Sequence, residues 1–235
     1  MSDVNSAKKK AAFAAVDEFV KTGYMKVGVG SGSTVVFAIE RLKELTGKGQ
    51  LKDMVYVPTS FQSTILLKEA GLPVSSPNDT PILDVAIDGA DEVDSKLNCI
   101  KGGGACQLQE KVVAACAKQF VVIADYRKES KTLGEKWKKG VPIEVVPMAY
   151  SVIMKRIEEM GGKPVLRMAQ KKAGPVVSDN SNFIVDADFG LIEDPSSLNT
   201  KLQMLPGVVE VGLFCGMAIK AFFGQEDGSV TTRTL

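Results

Sequence analysis

The stretch Asp88 to Lys111, DGADEVDSKLNCIKGGGACQLQEK, gathers carboxylates, lysines and three successive glycines. In Asp88-Gly89-Ala90-Asp91 two acids stand three apart across a tight turn. One such acid can hand a proton on while the other stays ionised and orients it. The same pair would also serve as ordinary turn residues bonding nearby backbone, or as oxygen ligands of a divalent cation. Lys101 precedes Gly102-Gly103-Gly104. Glycines let a ligand approach the backbone closely, and a lysine beside amides at a helix start suits a developing oxyanion. Glu110 falls in the second turn of the helix expected over 105–118. With Leu108, Val112, Ala115 and Cys116 as the apolar face, it points away from that face. That leaves two readings, a solvated helix glutamate or a general base. The chain has no histidine. Ser-His and Cys-His catalysis and His-ligated metal sites are thereby excluded. A general base must be a carboxylate, a lysine, a tyrosine or a cysteine.

A second candidate is Gly28-Val29-Gly30-Ser31-Gly32-Ser33-Thr34, between a short apolar strand and VVFAIERL. Strand, Gly/Ser loop and helix together form an anion cradle, with amides at the helix start facing the charge. Ser33 stands where a dinucleotide fingerprint needs its third glycine, and no Gly-Lys-Ser/Thr follows. The alternative is a plain turn with Ser31 or Ser33 as helix cap. Lys128, just past the apolar run Phe120 to Ala124, offers a point charge for phosphate.

These residues need elements to hold them. Helical spacing of Ala12, Val16 and Phe19 predicts a helix over 8–20. Strands are expected over 26–29, 54–57, 82–87 and 120–124, alternating with helices over 60–70 and 105–118. That alternation argues for an α/β fold with a mainly parallel Rossmann-like sheet flanked by helices. Ligands of such sheets sit beyond the carboxyl ends of the strands, where Asp88 would lie. Val93 to Ile100 reads as an edge hairpin. From 131 the pattern changes. A strand over 143–146, a helix over 150–160, antiparallel strands over 165–168 and 182–187 and a helix over 196–204 suggest a smaller inserted α+β domain, 131–205. The main domain would then be 1–130 plus 206–235, with 208–214 and 219–223 returning to the main sheet.

The chain has 235 residues and a net charge of +1, which points to neither nucleic acid nor an anionic membrane. No apolar run approaches the roughly 20 residues of a membrane span, and the N-terminal segment lacks a signal-peptide core. The four cysteines form no Cys-x-x-Cys pair, which fits free thiols in a reducing, cytoplasmic setting.

Taken together, VGVGSGSTV, IDGADEVD, IKGGGACQLQEK, VIADYRK, VPIEVVPMA and LPGVVEVGLF resemble ribose-5-phosphate isomerase, type A, over nearly the whole chain. The resemblance implies interconversion of ribose 5-phosphate and ribulose 5-phosphate through an enediolate, in the pentose phosphate pathway, with no cofactor and no metal. It implies Glu110 as the base. Asp88 would assist ring opening or proton exchange between the sugar oxygens, with Asp91 beside it in the substrate-binding turn (Gly89 and Ala90 included). Lys101 and the Gly102, Gly103 and Gly104 amides would meet the charged end of the transition state. Ser31, Gly32, Ser33, Thr34 and Lys128 would bind substrate and its phosphate, with Lys9 a further charge. A homodimer or homotetramer is expected by the same analogy. Ser178-Asp179-Asn180-Ser181-Asn182 departs from the family's Thr-Asp-Asn-Gly-Asn turn, and Ser31 stands where Thr is commoner. The rivals are a coenzyme A transferase of related architecture, with Glu as nucleophile, and a non-enzymatic sugar-phosphate sensor.

Overall fold

The computed structural model describes residues 3–235, which form two compact units. The first comprises residues up to Ala90, Gln109–Glu129 and Gly216–Leu235. It begins with α1 (Asp3–Phe19), β1 (Met25–Val29), α2 (Val35–Gly47), β2 (Met54–Pro58), α3 (Phe61–Glu69) and β3 (Val85–Gly89). The hairpin β4 (Glu92–Val93) and β5 (Cys99–Ile100) leads to α4 (Gln107–Cys116) and β6 (Phe120–Asp125). The second unit continues with β7 (Val141–Val145), α5 (Tyr150–Glu159), β8 (Lys163–Leu166), β9 (Phe183–Asp188), α6 (Pro195–Gln203), β10 (Val208–Val211) and β11 (Leu213–Phe214). The chain ends in β12 (Ala218–Gly224) and β13 (Val230–Thr234).

The first unit is built on a six-stranded sheet in the order β13-β12-β6-β3-β1-β2. All neighbours are parallel except the β12–β13 hairpin. Its central strands are apolar because both faces are covered, and every residue of β6 is buried. Ala11, Ala12, Ala15 and Val16 give α1 a flat face, packed with Val121, Ile123 and Phe222. The rings of Phe19 and Phe222 meet edge-on at 6.1 Å. α3 starts on a capping box between Ser60 and Ser63.

The second unit contains an antiparallel sheet, β10-β7-β9-β8, and a three-stranded sheet, β11-β5-β4. Its core joins Ile143, Val145, Ile153, Ile157, Val185, Leu202 and Val211. Buried acids act as struts here. Glu92, wholly buried, accepts the amides of Gly134 and Lys136 at 2.7 Å each. Glu144, equally buried, accepts Ser178 Oγ at 2.6 Å and Asn182 Nδ2 at 3.0 Å. Ser181, at the departure from the family turn, takes the left-handed φ of 64° that a glycine would adopt without cost.

The second unit is larger than 131–205. Residues 91–108 and 206–215 cluster with it. Val208 to Phe214 does not return to the main sheet: β10 pairs with β7, and β11 pairs with β5. The hairpin likewise forms its own small sheet instead of an edge of the large one. Apolar runs mark strands, but they do not name the partner, and here hydrogen bonding between distant segments decides. Among the described residues no helix is long and apolar enough to cross a membrane.

At Gly224 a Cβ would lie 1.9 Å from the carbonyl oxygen of Ala7, so α1 rests directly on the end of β12. Gly224→Ala is expected to lower the unfolding free energy by about 1–3 kcal/mol through overpacking against rigid backbone. Urea denaturation measures this, and an unchanged midpoint would show that α1 moves aside freely.

Candidate active site

In the first unit, β1 and β3 are adjacent parallel strands whose carboxyl ends carry the Gly/Ser loop and Asp88. Asp88 is 2% exposed. Its Oδ1 accepts the amides of Ser31 at 3.0 Å and Gly89 at 2.7 Å. A Cβ on Gly30 would fall 1.8 Å from that oxygen, so only glycine lets the carboxylate sit there. The loop is tied on its other side as well. Ser31 Oγ lies 2.6 Å from Ser60 Oγ and 2.7 Å from Thr59 Oγ1, and the Gly32 amide donates to Gln62 Oε1 at 2.9 Å. Ser31 thus serves as a strut through both its amide and its hydroxyl. Neither Ser31 nor Ser33 caps α2; the N-cap residue is Thr34, whose side chain makes no capping bond. Of the opening amides of α2, that of Phe37 donates to the Thr34 carbonyl at 3.1 Å; a helix leaves its first N–H groups without i−4 acceptors, and here they directly follow the Gly/Ser loop.

Ser33 Oγ accepts Lys8 Nζ at 2.9 Å. Burial lowers the Lys8 pKa below its ordinary value, Asp125 opposes this, and Arg127 and Lys128 lower it further. Lys8, Arg127 and Lys128 therefore share one neighbourhood at the end of β6. Asp125 there is buried, which alone would raise its pKa. Its bonds with Arg127, Nε to Oδ1 at 2.7 Å among them, and nearby Lys128 hold it below the ordinary value instead. Lys9, the expected extra charge, pairs with Glu40 at 2.6 Å. Which of Lys8, Lys9 and Lys10 faces the loop depends on helix phase. With Ala7, Ala11, Ala12 and Ala15 buried, that lysine is Lys8.

Glu110 stands in the first turn of α4 and is 6% exposed. The solvated reading is overturned. Gln107, Glu110, Val113 and Ala114 are the buried side of α4, while Val112 is 43% exposed. Hydropathy alone chose the wrong face, because two polar groups lie on the inner one. A Cβ on Gly28 of β1 would lie 2.6 Å from Val113 Cγ1, so α4 is held against β1. Glu110, one turn before Val113 on the same face, lies toward the carboxyl ends of β1 and β3, where Asp88 is anchored.

The second unit carries Asp91, Lys101 and the glycine triplet. The Gly103 amide donates to Asp91 Oδ2 at 2.7 Å, so Asp91 holds the turn. Lys101 donates its amide to the Gly212 carbonyl at 2.8 Å, and its side chain is 2% exposed with Nζ 5.4 Å from the Phe214 ring centre. Ala105 N–H closes the turn onto the Gly102 carbonyl at 2.9 Å, with Gly102 at φ 97° and Ala105 at φ 61°. A non-glycine residue in that region is strained by about 1–2 kcal/mol, and such strain collects at ligand-binding turns. Gly212, Phe214 and Arg167, which donates to the Gly102 and Gly103 carbonyls, support this turn from segments distant in sequence. No local motif announces them. Among the described residues no group of three Cys, Asp or Glu side chains is placed to hold a metal ion.

Known proteins resemble this chain over nearly its whole length. Residues 55–228 match the family model described as ribose 5-phosphate isomerase A (phosphoriboisomerase A). A curated ribose-5-phosphate isomerase of Dictyostelium discoideum is 54% identical, over 99% of both chains. One of Schizosaccharomyces pombe is 53% identical, over 99% of this chain and 85% of its own. Among solved structures, a D-ribose-5-phosphate isomerase in complex with phospho-erythronic acid superposes with a TM-score of 0.94 at 40% identity, over 99% of each chain. The Plasmodium falciparum ribose 5-phosphate isomerase gives 0.92 at 34% identity, over 98% of this chain and 99% of its own.

The Gly30–Asp88 contact yields a sharp expectation. Gly30→Ala forces the carboxylate off the Ser31 and Gly89 amides and should cut turnover by about 10²-fold or more, a misplacement cost. Thermal unfolding and steady-state kinetics on the same preparation check this. Parental kinetics in a folded variant would mean that Asp88 does not need its seat.

Proposed function

Since the chain belongs to the ribose 5-phosphate isomerase A family and interconverts ribose 5-phosphate and ribulose 5-phosphate, we propose that it does so by carrying one proton between carbons 2 and 1 of the sugar on Glu110. The observation that carries this reading is the burial of Glu110 on the inner face of α4, toward the strand ends that hold Asp88.

The open-chain aldose offers a proton at carbon 2, acidified by the carbonyl at carbon 1. Glu110 takes it, and the electron pair moves into a carbon 1–carbon 2 double bond as negative charge reaches oxygen 1. Lys101 and the open amides of its turn stabilise that charge, which is where preorganised donors contribute most. Asp88 passes the hydroxyl proton from oxygen 2 to oxygen 1, and earlier assists ring opening. Glu110 then returns a proton to carbon 1, leaving a carbonyl at carbon 2. Atoms and charge balance with no other reactant. The phosphate lies between the opening amides of α2, Ser33, Lys8 and Lys128. Its binding energy orients the reacting end. Phospho-erythronic acid, bound by the structural relative, has a planar carboxylate at the position of the enediolate oxygens, so it suits the same donors. A cytoplasmic location and self-association as a dimer or tetramer belong to this reading, and sedimentation of the purified protein tests the latter.

A coenzyme A transferase would show thioester exchange, and a sensor would bind sugar phosphate without turnover. Glu110→Gln keeps the shape of the side chain and removes the base. Its turnover of ribose 5-phosphate should fall by about 10²–10⁴-fold, with inorganic phosphate binding retained. Run in deuterium oxide, the parent enzyme should place deuterium on one face of carbon 1 of ribulose 5-phosphate, in part if water is excluded from the site. Full turnover without any label would sink the role of Glu110 as an exchanging base.

Lys128→Ala should raise KM for the phosphorylated sugar by about tenfold, a charge-assisted contact being worth about 1.5–3 kcal/mol at most, and change kcat much less. Inhibition constants for inorganic phosphate measure the same loss directly. If phosphate inhibits the variant as well as the parent, Lys128 is not a phosphate ligand.

A further inference from the structure

The proton chemistry accounts for Glu110, Asp88 and Lys101. It leaves Arg167 unexplained. Arg167 follows β8 in the second unit, with its backbone bonded on both sides: its amide to the Ile184 carbonyl and its carbonyl to the Val176 amide, each at 2.8 Å. Its side chain is 17% exposed. Two of its donors grip Asp186, Nε to Oδ2 at 2.7 Å and Nη2 to Oδ1. This bidentate pair fixes the guanidinium plane. The remaining nitrogen, Nη1, donates to two successive carbonyls, Gly102 at 3.0 Å and Gly103 at 3.2 Å.

Those carbonyls belong to two trans peptide groups, and a trans peptide directs its N–H opposite to its C=O. The N–H of the first is that of Gly103, which donates to Asp91 Oδ2 at 2.7 Å. The N–H of the second is that of Gly104, an exposed residue whose amide donates to no group among the described residues. Both peptides are therefore held by their oxygens on one cation. One amide is committed to a carboxylate, and the other is directed outward. A cation on a carbonyl also polarises its peptide and makes the N–H a stronger donor.

We propose that Arg167 is a positioning residue of the isomerisation: clamped by Asp186, it orients the Gly102–Gly104 peptides so that the Gly104 amide meets the developing oxyanion. The inference rests on the reading of this turn as the oxyanion site. An arginine is needed because lysine cannot bond one carboxylate in bidentate fashion and two carbonyls at once.

The test uses the full-length enzyme, with phospho-erythronic acid and inorganic phosphate as probes. Arg167→Lys should lower kcat by about 10–10²-fold, somewhat below the loss of a direct oxyanion donor, with KM changed by less than about threefold. Affinity for phospho-erythronic acid should fall in step with kcat, while affinity for phosphate is kept; a merely structural role would not produce that split. Asp186→Asn should show a smaller loss in the same pattern. Lys101→Ala separates the two levels. If it leaves phospho-erythronic acid binding intact, the turn is not the oxyanion site, and the underlying reading falls together with the proposal. If it weakens that binding while Arg167→Lys does not, the proposal alone falls. Should Arg167→Lys fail to fold, Asp186→Asn decides: parental kcat in a folded protein overturns the proposal, and a several-fold drop with intact phosphate affinity supports it.

Discussion

Everything at the strand ends depends on one close approach, the Asp88 carboxylate against the bare backbone of Gly30. Two neighbouring parallel strands are 4.8 Å or so apart, too near for a carboxylate to stand between their exits beside any side chain. Removing the side chain at Gly30 solves this. The carboxylate then gathers the Ser31 and Gly89 amides and locks one loop to the other. Ser31 continues the chain of contacts to Thr59 and Ser60 at the end of β2. Three consecutive strands of the sheet, β3, β1 and β2, thus end in one hydrogen-bonded network, and the Gly/Ser loop is part of it.

The second unit uses the same device. Its acids are largely engaged with backbone amides, as with Glu92 on Gly134 and Lys136 and Asp91 on Gly103. A carboxylate can accept several bonds at once and so organise a turn that no regular ladder reaches. In a chain without histidine, carboxylates carry much of the architecture, and the proposed chemistry falls to them as well. What separates the two uses is what the oxygens face.

Much of this was legible in the residues, for reasons that differ by element. The parallel sheet announced itself because its buried strands are short apolar runs broken by helices. The starts of α3 and α6 depend on neighbours alone, because each cap is a local bond, Ser60 accepting from the Ser63 amide and Asp194 from the Ser197 amide. The Gly/Ser loop, Asp88, Lys101 and Glu110 stood out through residue type. The domain boundary was not legible, because β10 and β11 read as apolar strands that would suit either sheet. The inner face of α4 was misjudged, since Gln107 and Glu110 occupy places that hydropathy reserves for aliphatic residues. Lys8 was passed over for Lys9 because three consecutive lysines carry no phase of their own. Arg167 was invisible: its partners Gly102, Gly103 and Asp186 are far away along the chain, and only folding brings them to it.

The seating of α1 on the last residues of β12 has a consequence for how the protein is made. Lys8 belongs to a helix whose neighbour Ala7 touches Gly224, at the far end of the chain. On a ribosome adding about 5–20 residues per second, the helix waits for roughly 200 residues, some 10–40 seconds, before that partner strand emerges. The contact between α1 and the end of β12 therefore forms late, after the intervening strands have been made. Until then the alanine face of α1 can rest on Val121 and Ile123 of β6 but lacks Phe222 of β12.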